Sequence, residues 1–249
     1  MLSIEFAKIK RSWIFPLIFI APVLVIASGV ASLSSYLTPE YTNAWAAMFI
    51  QSALVYAYYL LPLSMIVVCV MIAGRETQNN GMLKMLALPV SRAGMSLAKF
   101  GVVLTFLAME IAVFFLVFLM AGMVAMQSKS VEEALPIGYL LGNCVKLFFT
   151  MLPATACMWA ITVLFEKKIL SIGLNLFLVI PGLLAANTAA WVIYPYCYSG
   201  YLVSCSLHAF SSGGNTDPFE LFPFLPCAVT AFALALSVAV WRFGKKEMA

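Results

Sequence analysis

Two ionisable residues, Glu110 and Lys146, fall inside long apolar runs of this 249-residue chain. A charged side chain in hydrocarbon is costly, so such residues pair with one another or face a polar path. At 1.5 Å per helical residue, Glu110 lies about 16 Å beyond Lys99, and Lys146 about 15 Å beyond Pro136, measured from opposite membrane faces. Across the roughly 40–45 Å that includes both headgroup regions, the two depths differ by about 10 Å, which leaves two arrangements open: a direct pair, or one or both lining a cavity touched by a cationic substrate.

Other chemistries find little support. The six cysteines, Cys69, Cys144, Cys157, Cys197, Cys205 and Cys227, show no C-x-x-C and no histidine at metal-ligand spacing, so no metal site is expected. Cys197 and Cys205 share one connecting segment, and a disulfide between them stays open. A serine protease site would need a histidine beside its nucleophile, but "CYSGY" at 197–201 is not G-x-S-G and His208, the sole histidine, lies in that same segment. "EEALP", from Glu132, lacks the arginine that glutamate-dependent membrane proteases place after their glutamate pair. No G-x-x-x-x-G-K-[ST] phosphate loop occurs, so the chain is not expected to hydrolyse ATP itself.

The elements that must position Glu110 and Lys146 follow from composition. With 64% hydrophobic and 10% charged residues and a mean hydropathy of +1.02, the chain has too little polar surface for a water-soluble globule. Six continuous apolar runs, 13–33, 44–73, 100–126, 137–165, 169–186 and 221–243, each approach the roughly 20 residues a membrane-spanning helix needs. A β-barrel would alternate polarity over shorter stretches, so the fold class is all-α, one transmembrane domain over 1–249. The first run exceeds a signal-peptide core of about 7 to 15 residues and reads as a retained span. Pro16, Pro22, Pro62, Pro153, Pro181 and Pro226 predict kinks more than breaks.

Charge sets the orientation. With the N-terminus cytoplasmic, twelve of the fourteen Lys and Arg fall inside: Lys8, Lys10, Arg11, Arg75, Lys84, Arg92, Lys99, Lys167, Lys168, Arg242, Lys245 and Lys246. Lys129 stays outside with Glu40, Glu132, Glu133, Asp217 and Glu220. The positive-inside tendency therefore predicts a multi-pass plasma-membrane protein with both termini cytoplasmic.

The segment 74–99 is the longest inner connection. In "NNGMLKMLALPVSR", Asn79, Asn80 and Gly81 break a helix, Met82 to Leu86 form a short apolar run around Lys84, and Pro89 ends it. Such a stretch lies against the membrane face or against a partner protein. The whole stretch "RETQNNGMLKMLALPVSRAGMSLAK" resembles the corresponding loop of ATP-binding-cassette permeases of the type-2 exporter class, matched at Glu76, Gly81, Leu83, Leu86, Pro89, Ser91, Arg92 and Lys99. The resemblance extends over the chain, and "IPGLLAANTAAW" with "YPY", from Ile180 to Tyr196, is most similar to lantibiotic-immunity and peptide-antibiotic resistance permeases.

That resemblance implies a coupling helix around Leu83, Lys84 and Leu86 that sits in a groove of a separate ATPase subunit, with ATP and Mg2+ bound on that subunit and no cofactor on this chain. It implies two ATPase subunits, a second permease chain, identical or homologous, and export of a lantibiotic or other cationic peptide. A lipid or drug substrate, and a non-transport membrane role as sensor or protease-like enzyme, are the alternatives. No nucleic-acid partner is expected. Leu2, Phe6, Ile9 and Trp13 recur at steps of four and three along one helix face, an amphipathic helix over 1–12 on the inner leaflet that serves as a lipid anchor, an ATPase brace or both. The segment 187–220, rich in aromatic residues, is expected to form short helices dipping into the outer leaflet, where the family places re-entrant helices.

Overall fold

Hydrocarbon offers backbone N–H and C=O groups no partners, so an apolar run is stable there only when the i to i−4 ladder satisfies them internally. The computed structural model of the protein describes residues 14–31, 44–74, 92–128, 133–165, 167–211 and 219–245. Among these there is no strand. Helix α1 is Ile14–Ala31; α2, Ala44–Val55, passes through a π-helical turn, Tyr56–Leu60, into α3, Leu61–Gly74. Then come α4 (Arg92–Ser128), α5 (Ile137–Leu164), α6 (Lys168–Val179) and α7 (Gly182–Ala186). Two 3-10 turns, Ala189–Ile193 and Pro195–Cys197, lead into α8 (Tyr198–Ser211), and α9 is Leu221–Gly244.

Among the described residues, five helical stretches are long and apolar enough to cross a membrane: Ala44–Gly74, Ala93–Ser128, Ile137–Leu164, Lys168–Ala186 and Leu221–Gly244. The first of the six expected spans yields the shorter apolar helix α1, whose 18 residues rise about 27 Å against a hydrocarbon core of about 30 Å. One boundary differs from the sequence reading. The connection expected over 74–99 ends sooner, because α4 already includes Arg92: past Pro89, Ala93, Met95, Leu97 and Ala98 are good helix formers that carry the helix through Gly94. Pro181 kinks the fifth run between α6 and α7, and Lys168–Ala186 continues as one spanning stretch. Pro22, Pro153 and Pro226 are carried inside α1, α5 and α9.

An aromatic zipper joins α2 to α4. Trp45, Phe49 and Tyr56 meet Phe114 and Phe118, spaced four apart on α4 and so on one face. Tyr56 stacks on Phe114 at 4.4 Å between centroids, while Phe49 meets Phe114 and Phe118 edge-on at 5.8 and 5.3 Å. One turn further along α4, Gly122 has no room for a side chain: a Cβ there would stand 2.4 Å from the Trp45 ring. Gly29 likewise lets α1 close on α2, since its Cβ would stand 2.0 Å from Ser52 Oγ. The most extensive helix pairs are α5 with α9 and α1 with α4.

The hydroxyls on α5 do not demand partners elsewhere. Thr150, Thr155 and Thr162 donate to the carbonyls of Lys146, Met151 and Met158, each four residues back. Ser171 of α6 then donates to Thr162 Oγ1 at 3.1 Å, pinning α6 to α5.

The ends of the bundle differ in charge. At one end Gly74 abuts Lys168, whose Cε would lie 2.6 Å from a Cβ on the glycine, and Lys99 Nζ lies 5.6 Å from the centre of the Phe243 ring, one residue after Arg242. At the other end Glu133, between α4 and α5, accepts the backbone N–H of Ala44 at 2.9 Å. That carboxylate caps the first turn of α2 across 89 residues of sequence, where the helix dipole favours negative charge.

Candidate functional site

The α2–α3 run and α4 flank residues 75–91, and their contact is where side-chain chemistry enters the apolar interior. Glu110, half-way along α4, is fully buried at 0% exposure. Its Oε1 lies 2.5 Å from Ser64 Oγ on α3, and Ser64 Oγ lies 2.9 Å from the carbonyl of Leu61. The other carboxyl oxygen, Oε2, and the Tyr56 hydroxyl have no hydrogen-bond partner among the described residues. One helical turn beyond Glu110, Phe114 holds the Tyr56 ring flat against α4.

Beside this contact, the π turn receives the segment that follows α7. In the π register Leu61 N–H bonds to Tyr56 O, five residues back. The next N–H would serve Ala57 O, but residue 62 is proline and has none. Ser199, in the first turn of α8, supplies the missing donor, its Oγ standing 2.9 Å from Ala57 O. Tyr58 reinforces the dock through a 3.0 Å bond between its hydroxyl and Ser204 Oγ, and Gly200 lies under its ring with no space for a Cβ, which would stand 2.2 Å from Tyr58 Cδ1. Tyr196 donates to Asn175 Oδ1 at 3.1 Å and Tyr194 to Leu178 O at 2.5 Å, so the same segment is tied to α6 as well. Residues 194–204 therefore reach the middle of the second run, about 20 Å along it from Ala44, instead of spreading over its end.

Of the residues singled out from the sequence, Glu110 is enclosed between helices and takes Ser64 as its partner, whereas Lys146 is on the exposed face of α5. The two are not brought together. Lys99, placed by the resemblance next to the coupling segment, is buried at 1% exposure. Arg92 begins α4. Glu76, Gly81, Leu83, Lys84, Leu86, Pro89 and Ser91 lie outside the described residues, as do Leu2, Phe6, Ile9 and Trp13. Cys197 and Cys205 are not bridged: they are eight residues apart along helical backbone, about 12 Å by the helical rise and too far for a disulfide. Sequence reading missed Ser64 and Ser199, and named Glu133 only for its charge, not as the cap of Ala44. For Ser199 a signal was present, since Pro62 inside an apolar run orphans a carbonyl that something must satisfy.

Residues 1–182 fit the family described as ABC-2 family transporter protein. The chain belongs to that family. It is thus a multi-pass membrane permease, a transport subunit whose family membership implies association with ABC ATPase subunits. No curated protein matches the permease. The family match covers α1 to the start of α7; the docked segment with α8, and α9, follow it.

Proposed function

We propose that the permease is the membrane half of an exporter that expels an amphipathic cationic peptide, of the lantibiotic type, from the bilayer or its outer leaflet. Two separate ATPase subunits bind ATP and Mg2+, and a second permease chain completes the pathway. The six apolar runs all span, both termini face the cytoplasm, and residues 189–211 form a re-entrant element above the substrate path. Residues 1–12 lie on the inner leaflet as an amphipathic helix.

Force enters through residues 75–91. Glu76, Gly81, Leu83, Lys84, Leu86, Pro89, Ser91 and Arg92 form the surface that meets the ATPase. The observation that carries this reading is the pair of arms flanking that segment. The α2–α3 run and the 37-residue α4 pack along each other, and α4, about 55 Å long, exceeds the bilayer core and so projects beyond it. A displacement at the connection is transmitted along rigid helices, not absorbed in a loop.

The test has two parts. Tagged permease extracted in mild detergent should retain an ABC ATPase, and the charge reversals Glu76→Lys and Arg92→Glu should reduce that retention at least tenfold. Cells carrying the intact complex should survive membrane-active cationic peptides at concentrations that kill cells lacking it. A permease that never retains an ATPase removes the coupling reading, while unchanged survival across the peptide panel removes only the substrate.

A further inference from the structure

We propose that Glu110 works as a proton-bearing acid whose hydroxyl fastens α4 to α3, making it a positioning residue for the two arms and not a lining of the substrate path. The argument is a count of hydrogens. Ser64 Oγ stands 2.9 Å from Leu61 O and 2.5 Å from Glu110 Oε1, and a serine hydroxyl has one proton. Leu61 O can only accept, and so can an ionised carboxylate, so one proton would have to serve two acceptors; the back-bond to Leu61 O is the one serine commonly makes within a helix. The second short contact then lacks a hydrogen unless the carboxyl brings one. With Glu110 protonated the chain closes: Glu110 donates to Ser64 Oγ, and Ser64 donates to Leu61 O.

The surroundings agree. Glu110 is at 0% exposure, its Oε2 has no partner, and it makes no ion pair among the described residues. A carboxylate oxygen left so would be an uncompensated buried charge, whereas the carbonyl oxygen of a neutral acid is a far smaller loss. The titratable group facing it from the π turn is Tyr56, with Cys144 of α5 beyond, both neutral in their ordinary forms. Ile14–Ala31 of α1 contains no titratable side chain, and from α3 the facing group is Ser64. On α4 itself Lys99 is three turns away, about 16 Å along the axis.

The bond ties together the two helices that enter and leave residues 75–91, so they move as one body. It does not depend on which substrate the permease carries.

The test uses the full-length permease in lipid nanodiscs. The infrared difference between wild type and Glu110→Gln at neutral pH should contain the C=O stretching band of a protonated carboxylic acid, shifted in deuterium oxide. Glutamine keeps the shape and an N–H donor, so its thermal midpoint should stay with wild type, while Glu110→Ala and Ser64→Ala should each lower it by about 3 °C or more. Together the two alanines should cost no more than the larger single effect. A carboxylate band in place of the acid band overturns the proposal, and so does a Glu110→Gln protein that unfolds with the alanine variant or fails to fold. An unchanged midpoint for Ser64→Ala overturns the latch.

Discussion

Gly200 and Glu133 act at single contacts, and each gives a direct prediction. A side chain at Gly200 must displace the Tyr58 ring, so Gly200→Leu should destabilise the permease by about 1–3 kcal/mol and release the Tyr58 hydroxyl from Ser204. Thermal unfolding followed by tyrosine fluorescence in detergent checks this, and an unchanged midpoint would show the ring is not held there. Glu133→Ala removes the cap from Ala44 and should cost about 0.5–2 kcal/mol, with Glu133→Gln intermediate because the amide oxygen still accepts but carries no charge. At this scale the sequence was informative where a residue broke the pattern of its surroundings. Glu110 stood out because it is a carboxyl in an apolar run. Its partner Ser64 did not, because a serine in a membrane helix commonly bonds to its own backbone, and a sequence separation of 46 hides their contact.

The π turn shows how one element creates a requirement that another meets. Pro62 withholds the N–H that the π register assigns to Ala57 O, and Ser199 fills the gap from the first turn of α8. Ser199→Ala should therefore cost about 1–3 kcal/mol, the penalty of a buried carbonyl left without a donor. In a Pro62→Ala background, where residue 62 regains its N–H, the same change should cost much less. A double-mutant cycle in thermal or denaturant unfolding reads the difference, and additive effects would contradict the assignment. Helix existence was legible from the apolar runs, because length and hydropathy alone decide that. Helix limits were less so: α4 already includes Arg92, inside the expected loop. A proline signals a local disturbance, but whether it bends, widens or ends a helix depends on what packs against the freed carbonyl. The depth reached by residues 194–204 was not legible at all, since it rests on hydroxyls and a glycine that meet residues far away in sequence.

For the whole molecule, the distribution of charge carries most of the argument. Lys99, Lys168, Arg242 and Lys245 belong to helix ends that the fold gathers on one side, and Glu133 lies at the other. This arrangement was visible in the sequence because the positive-inside tendency acts on residues near span ends, which are read without tertiary structure. What the fold adds is that the two arms around residues 75–91 meet through Ser64 and Glu110; under the proposed coupling, a push on the connection tilts both. The central claim is that this connection is cytoplasmic and is the place where an ATPase delivers its work. The most direct measurement replaces the six native cysteines, introduces Lys84→Cys, and treats intact cells with a membrane-impermeant thiol reagent. The account predicts no labelling until the membrane is opened, then labelling that an ATPase bound to the permease suppresses. Labelling of Lys84→Cys in intact cells would contradict it.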